Sequence, residues 1–462
     1  MKRSSLFLIL SLFYGLFSFA QKDEGPIVLT PVYFDVSPPL RDMVVNYKPV
    51  DNSWKDGVVR NYFNANKESN VEVKGIDPNL QNVFGQANGD TILYNFEGTG
   101  NVNGVLPPDT YGDVGPNHYF QVVNLSFAIY NKSGVKILGP VPNSSIWSGL
   151  PHNYNWGDGV VIYDDQANRW LFTQFDLGPS GNGPFYENIA ISQTPDPTGS
   201  WYRYQYLFTN LPDYPKYAVW VDGYYMSGHA FTAAGNYVGL YAACFNRTQM
   251  LAGNPTAQVV TFTKSAGSPG FGYMPSDCDG PLPDVGTPCY YMYRQIPSSL
   301  GVYEFHVDWN TTSNSTFLTV SPITVNPFNV NLNQQVVPQP GTTGKLDAMM
   351  VRMMYRIQYR RFPGYASIVL NHTVSVSGIA GVRWYELRRT TGAWTVYQQS
   401  TYSPDNTYRW MGSIAQDTSG NIALGFSVSS STVYPGIRYT GRLASDPLNQ
   451  MTIAEKTIKE GG

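Results

Sequence analysis

Three arginines spaced four residues apart are the residues in this chain whose types and spacing best suit ligand chemistry. The segment VRMMYRIQYR at residues 351–360 contains Arg352, Arg356 and Arg360. In a β-strand, every second side chain points to the same face, so a strand here would place the three guanidinium groups together and the apolar side chains opposite. A guanidinium binds a carboxylate or sulfate through two parallel hydrogen bonds. The segment therefore predicts a strand with an anion-binding face.

Further arginines and aromatic residues join this site if their strands line the same opening. The added ligand-binding candidates are Arg383, Tyr385, Arg409, Trp410 and Arg438. In this hypothesis the arginines bind the anionic group of a glycan, and the two aromatic residues stack on its sugar rings. The structural alternative, which we favour, uses the arginines in ion pairs that hold neighbouring sheets together. Its predicted acidic partners are Asp347, Glu386, Asp405 and Asp417.

Two residues are candidates for a general base, namely His229 and Tyr385. A lyase that acts on an acidic sugar needs a Tyr or His base beside an arginine that neutralises the carboxylate. His229 follows Ser227 and Gly228 in an aromatic strand, although a buried core histidine is the competing interpretation. None of the five histidines is paired at the spacing of metal ligands, so no zinc or copper site is predicted.

Acidic residues in turns form a second group of candidates: Asp109, Asp113, Asp158, Asp213, Asp277 and Asp279. Such carboxylates bind calcium in some loops, and in glycosidases a pair of them serves as acid and nucleophile. The ligand series of a calcium loop is missing, and the favoured interpretation is that these residues cap turns through backbone amides. No cofactor is predicted, with structural calcium as the alternative.

The elements that must position these residues are short strands joined by tight turns. Hairpin-type turns recur as YNKSG at residues 130–134, RTTG at 389–392 and DTSGN at 417–421. This rhythm runs without a linker over residues 91–451 and predicts an all-β fold. We expect a β-propeller of about six to eight four-stranded blades, with seven favoured. A large β-sandwich or two stacked β domains are the alternatives.

The remaining sequence divides into three segments. Residues 1–20 have a basic start, an apolar stretch and small residues before Gln21, which predicts a signal peptide and a secreted, extracellular protein without a membrane span. Residues 21–90 form a polar leader, and residues 452–462 form a C-terminal tail.

The net charge of −3 gives no reason to expect a nucleic-acid partner. Cys278 and Cys289 are spaced to close a loop, which would leave Cys244 over.

Several longer motifs resemble those of a known group of proteins. PPDTYGDVGPNHY at residues 107–119, TPDPTGSW at 194–201, RWYELR at 383–388 and the segment at 409–442 resemble signatures of a family of large secreted bacterial proteins. The leader that ends in Ala-Gln looks like those of Bacteroidetes. The resemblance implies export and a propeller-type fold, but the family has no assigned activity. Its members continue into another strand-rich segment, which implies an incomplete last blade and an exposed sheet edge here.

Two hypotheses about function follow from these residues. The first, which we favour, is a non-catalytic propeller that binds an extracellular polysaccharide or a cell-surface protein. The second is a hydrolase or lyase that uses the arginines to act on acidic glycans. The composition is rich in Tyr, with 34 residues, but aromatic residues also pack well between sheets, so their number alone does not decide between the two.

Overall fold

The computed structural model describes residues 23–43, 73, 75–89, 92–105, 107–331 and 335–462. The predicted signal peptide at residues 1–20 and much of the leader at 21–90 lie outside the described residues. Within them, the regular secondary structure is almost entirely strand, and the all-β prediction is confirmed. The described helical elements are short: α1 (Arg247–Leu251) and 3-10 turns at Leu40–Asp42, Asn143–Trp147 and Thr312–Asn314. No helix in these ranges is long and apolar enough to cross a membrane.

Most strands follow one another in antiparallel groups of four, as tight turns between alternating segments favour. The first two groups are β4 (Tyr111–Val114), β5 (His118–Val123), β6 (Ser126–Asn131) and β7 (Lys136–Pro142), then β8 (Val160–Asp164), β9 (Arg169–Asp176), β10 (Phe185–Ser192) and β11 (Trp201–Phe208). The next two are β12 (Leu211–Val219), β13 (Gly223–Phe231), β14 (Tyr237–Asn246) and β15 (Val259–Ser265), then β16 (Met274–Asp279), β17 (Cys289–Gln295), β18 (Ser299–His306) and β19 (Thr316–Thr324).

A small two-stranded sheet separates these groups from the last two. It consists of β20 (Gln335–Val337) and β21 (Leu346–Asp347). The last groups are β22 (Ile357–Phe362), β23 (Tyr365–Val376), β24 (Ile379–Arg389) and β25 (Thr395–Tyr402), then β26 (Tyr408–Gln416), β27 (Ile422–Ser429), β28 (Gly436–Arg442) and β29 (Ile453–Lys459). The final strand lies where the sequence predicted a tail, so most of residues 452–462 belong to the last sheet.

Three strands from the beginning of the chain attach to outer edges of later sheets. They are β1 (Glu24–Leu29), β2 (Tyr33–Val36) and β3 (Leu80–Gln81). β1 pairs antiparallel with β15 and β2 pairs antiparallel with β11, while β3 pairs in parallel with β25. These described parts of the leader therefore lie against the main domain as additional strands.

The sheets are arranged like the blades of a propeller, because the first strands of successive groups pack side by side. β4 packs with β8, β8 with β12, β12 with β16, β16 with β22 and β22 with β26. The predicted count of six to eight blades, with seven favoured, is not confirmed. The reason is that β16 and β22 are hydrogen-bonded in parallel, which joins two groups into one nine-stranded sheet.

Aromatic side chains fill the space between neighbouring sheets. Trp220 at the end of β12, for example, meets Tyr290 of β17 and Tyr359 of β22 edge to face, with ring centroids 6.1 and 4.8 Å apart. Edge-to-face contacts of this kind favour the electrostatics of aromatic rings and bury large apolar areas. Packing therefore accounts for many of the aromatic residues in the sequence.

One local expectation was wrong, and one question that the sequence left open is answered. The strand predicted over residues 351–360 begins only at Ile357, so Arg352 and Arg356 precede β22 and do not share a strand face with Arg360. In the segment before β22, the Met354 amide donates a hydrogen bond of 3.0 Å to the Asn371 carbonyl. The Cys278–Cys289 disulfide left open by the sequence is not formed, and Cys244 is also a buried free thiol.

Candidate functional site

Side chains from three groups of strands meet near the starts of the first strands of these groups. We call this set the central cluster: Tyr111 of β4, Tyr214 and Lys216 of β12, His229 of β13 and Arg352, which precedes β22. Because the first strands of a propeller surround its axis, residues near their starts face one common end of the centre. The fold thus gathers residues that are far apart in the sequence.

Tyr214 occupies a β-bulge. Asp213 pairs with His229 and Lys216 pairs with Ser227, so Tyr214 and Pro215 together lie opposite the single residue Gly228. A proline within a strand cannot donate to the ladder and is typical of such irregularities. The φ angle of Tyr214 is 56°, in the left-handed region that costs a non-glycine residue about 1 kcal/mol or more. Bulges beside functional sites re-aim a side chain, and this one directs Tyr214 into the cluster.

Two cationic groups flank the Tyr214 ring. The Nζ atom of Lys216 lies 3.6 Å from the ring centroid, and the Cζ atom of Arg352 lies 4.2 Å from it. Both cations are buried, with 6% and 2% of their surface exposed. Lys216 also lies 4.9 Å from the ring centroid of Tyr111. The electron-rich faces of aromatic rings attract cations, so the Tyr214 ring is a favourable partner for both.

The two tyrosines respond to this environment in opposite ways. Burial opposes the ionisation of Tyr214, but the charges of Arg352 and Lys216 outweigh it, and the pKa of Tyr214 is lowered from its ordinary value. Burial raises the pKa of Tyr111 well above the ordinary value, and the neighbouring Tyr214 and Tyr355 raise it further. Neighbouring groups whose pKa values are pushed apart are the usual basis of acid and base roles. Tyr214 is suited to act as the base, and Tyr111 as the acid.

His229 lies between two aromatic rings in the same cluster. Its ring stacks on Tyr214, with centroids 5.6 Å apart, and on Phe271, with centroids 4.7 Å apart. Burial lowers the pKa of His229 well below the ordinary value, and the charges of Arg352 and Lys216 lower it further. The imidazole is therefore neutral at neutral pH. His229 is thus the one of the two predicted base candidates that belongs to the central cluster, where it lies near the predicted arginine Arg352.

Two carboxylates complete the surroundings of Tyr111. Asp109 and Asp158 are half-buried residues just before β4 and β8, with left-handed φ angles of 41° and 54°. The Asp109 carboxylate accepts a hydrogen bond of 2.9 Å from the Asn124 side-chain amide. Both carboxylates contribute to raising the pKa of Tyr111, after burial and the neighbouring tyrosines. The cluster thus contains cations, carboxylates and phenols at one end of the centre.

Farther along the same inner strands, Arg356 is held between two carboxylates. It forms ion pairs of 2.5 Å with Asp277 and Asp279 of β16. Burial raises the pKa of Asp277 to about 7, against the opposing charge of Arg356, whereas for Asp279 that charge outweighs burial and lowers the pKa. Arg360 donates to the Gln416 carbonyl at 2.9 Å. These arginines therefore join β16, β22 and β26 through protein contacts.

The structure places the remaining sequence-predicted arginines in ion pairs within the protein. Arg383 pairs with Asp77 at 3.1 Å, and Arg409 pairs with Asp405 at 2.7 Å and Glu455 at 2.9 Å. Arg438 shares Glu455, at 3.1 Å. Of the four predicted acidic partners, Asp405 is the one that forms such a pair; Glu386 pairs with Arg388, and the side chains of Asp347 and Asp417 accept hydrogen bonds from backbone amides in their own turns.

The two aromatic candidates are buried in the same way. The Tyr385 hydroxyl hydrogen-bonds His372 Nε2 at 3.0 Å within the sheet, and Trp410 packs into a small apolar core with Val337 and Met350. Neither side chain offers an exposed face to a sugar ring, since Tyr385 is fully buried and Trp410 nearly so. Tyr385 lies in the buried part of β24, and Trp410 lies in the buried part of β26.

Sequence reasoning missed Tyr111, Tyr214 and Lys216. The available signal was the DYPK segment at residues 213–216, in which a proline interrupts an otherwise strand-like pattern and predicts a bulge. Asp213 was noted only as an acidic turn residue. Within the ranges that the structure describes, no group of three or more His, Cys, Asp or Glu side chains is placed to hold a metal ion.

Comparison with known proteins gives no family. No family model and no curated protein matches this chain. Among solved structures, it is similar to an exo-β-1,3-galactanase from Clostridium thermocellum, with 11% identity, coverage of 75% of this chain and 80% of that one, and a TM-score of 0.32. A PL25 ulvan lyase gives 12% identity, coverage of 73% and 80%, and a TM-score of 0.31. TM-scores of this size carry no argument about function.

Proposed function

We propose that the central cluster cleaves an acidic polysaccharide by β-elimination. The observation that carries the proposal is the position of Tyr214, whose pKa is lowered by Arg352 and Lys216 and whose ring contacts a neutral His229. A lyase needs a base beside cations that neutralise the carboxylate of a uronate, and this arrangement supplies both.

The proposed reaction has one proton removed and one returned. Arg352 and Lys216 bind the uronate carboxylate, which makes the hydrogen on C5 more acidic. The Tyr214 phenolate takes that proton, the electron pair forms the C4–C5 double bond, and the C4–O bond breaks. Tyr111, whose pKa is raised, donates its proton to the leaving oxygen. The products are an unsaturated uronate and a chain with a new reducing end.

Hydrolysis is a second candidate, because Asp109 and Asp158 both lie near Tyr111. Two carboxylates on either side of a glycosidic bond serve as acid and base, or as acid and nucleophile, in glycosidases. In that reaction the bond is cleaved by water, so reducing ends form without a double bond. Binding without cleavage, the function favoured by the sequence, requires only the cations and aromatic rings of the cluster.

One set of incubations separates these possibilities. The protein is mixed with neutral, uronic and sulfated polysaccharides, and ultraviolet absorbance of unsaturated uronates, new reducing ends and retention are measured. Absorbance together with new ends, both lost in Tyr214→Phe and kept in Tyr434→Phe at an exposed tyrosine, supports elimination. New ends without absorbance support hydrolysis, and retention alone supports a binding protein.

The proposal includes the setting of the reaction. Export through residues 1–20 would place the protein outside the cell with its polysaccharide, as expected for the secreted bacterial family that its motifs resemble. We further propose that each four-stranded group is one blade, which would make six blades, the lower end of the predicted range. A cell-surface protein partner remains the alternative if no polysaccharide is retained.

A further inference from the structure

A second groove lies away from the central cluster, between the two halves of the nine-stranded sheet. We call it the lateral groove; it is lined by residues of β17, β18 and β22–β24 and of the loop before β17, and its volume is about 710 Å³. Ligand pockets in proteins fall in the range of roughly 300–1,000 Å³, so the groove has room for a short oligosaccharide. No residue of the central cluster lines it.

The floor of the lateral groove is aromatic. Trp394 meets Tyr290 and Tyr359 edge to face, with ring centroids 5.3 and 6.2 Å apart. At the rim, Phe362 and Tyr365 flank the tight turn between β22 and β23, and their rings stack with centroids 5.0 Å apart. Both rim residues are half-exposed. Half-exposed aromatic rings at the rim of a groove can pack against the apolar parts of sugar rings.

The two arginines that line the groove differ in their partners. Arg361 pairs with Asp284 at 2.8 Å, and His306 lies 3.4 Å from Glu304, so each of these groups has its own carboxylate. Arg389 differs: its guanidinium contacts the Tyr290 hydroxyl, and no carboxylate among the described residues forms an ion pair with it. A guanidinium so placed binds one carboxylate or sulfate group well.

From this combination we infer that the lateral groove is a second, non-catalytic site for an anionic oligosaccharide. Arg389 binds one carboxylate or sulfate group, and the rim rings of Phe362 and Tyr365 hold a neighbouring sugar. The inference does not depend on cleavage, because the two sites share no residue. Such a site would keep a polymer on the protein while another stretch of it occupies the central cluster, and tethering of this kind raises the local concentration of the chain.

The test uses the full chain carrying Tyr214→Phe, which prevents elimination, and titration calorimetry with tetragalacturonate and with a sulfated tetrasaccharide. Arg389→Gln is expected to weaken one binding event at least tenfold, because a charged hydrogen-bonded pair is lost. Arg41→Gln, at an exposed arginine outside the groove, is the matched control and is expected to change nothing. Tyr365→Ala at the rim gives a second variant, and thermal unfolding of each variant reports folding.

Three results would overturn the inference. The first is an unchanged affinity in both folded groove variants. The second is binding that Arg352→Gln abolishes and Arg389→Gln leaves intact, which would assign all binding to the central cluster. The third is retention of an acidic peptide such as polyglutamate, but of neither oligosaccharide, in an Arg389-dependent manner. A failure of elimination at the central cluster changes none of these readouts, so the two proposals are tested separately.

Discussion

The Lys216 ammonium lies 3.6 Å from the ring centroid of Tyr214 and 4.9 Å from that of Tyr111, so one buried cation contacts two tyrosines. It lowers the pKa of Tyr214 together with Arg352, while Tyr111 remains protonated to unusually high pH. Tyr214 lies in the bulge and Lys216 is the residue at which regular pairing with β13 resumes.

Tyr214→Phe is expected to lower the rate of elimination by about 100-fold or more, the usual contribution of a positioned general base. The change removes one hydroxyl and keeps the ring that packs on His229. The rate of absorbance increase on a uronic polysaccharide measures the effect, and the exposed Tyr434→Phe serves as control. An unchanged rate with intact folding would rule out Tyr214 as the base.

Lys216→Met is expected to shift the pH dependence of the rate to higher pH. The cation lowers the pKa of Tyr214, so its removal raises that pKa, and less phenolate is present at any pH below it. The ascending limb of the pH–rate profile therefore moves upward. If this limb instead stays in place while the Michaelis constant rises, Lys216 binds the substrate and does not tune the base.

Glu187→Gln is expected to stabilise the protein at high pH. Glu187 of β10 is buried, and burial raises its pKa from 4.5 to about 8, although the Tyr217 hydroxyl donates to it at 2.7 Å. A carboxyl with a raised folded-state pKa contributes stability that is present below pH 4.5 and is lost as the pH rises towards 8.

The slope of this loss is about 1.4 kcal/mol for each pH unit. Chemical denaturation at several pH values checks it, because the Gln variant lacks this component. His229 contributes in the opposite sense: its lowered pKa means stability that is lost as the pH falls below 6.5. The difference between the Glu187→Gln variant and the parent isolates the Glu187 effect. Parallel stability curves would contradict the prediction.

Arg383→Met is expected to destabilise the fold without changing ligand affinity. Removing one partner of a buried ion pair leaves Asp77 uncompensated and costs about 3–5 kcal/mol. Denaturant unfolding measures the loss, and oligosaccharide titration of the folded variant measures affinity. Weaker binding with unchanged stability would restore Arg383 to the ligand site that the sequence suggested.

The turns and the fold class were predictable because their chemistry is local. In the DTSGN turn, Asp417 accepts hydrogen bonds from the Ser419 and Asn421 amides, as its type and position indicate. The blade arrangement was harder, because the parallel pairing of β16 with β22 joins segments that are distant in the sequence. No local pattern marks such a pair.

The candidate site was predictable only in part. The residue types of Arg352 and His229 identify them as candidates. The strand expected around Arg352 was wrong, because alternating polar and apolar residues can also occur in a loop. Tyr214 and Lys216 became visible only with the register of β12 against β13, which depends on tertiary pairing. The ion pairs of Arg383 with Asp77 and of Arg409 with Glu455 could not be predicted, because the partners lie far apart in the sequence.

The attachment of β1 and β2 to β15 and β11 has a consequence for the order in which the chain assembles. These two strands are made early, but their partners around Gln205 and Thr263 are made much later. β1 and β2 therefore stay unpaired until the third and second groups of strands, respectively, have been made. During that interval their unpaired backbone groups are open to chaperones and proteases.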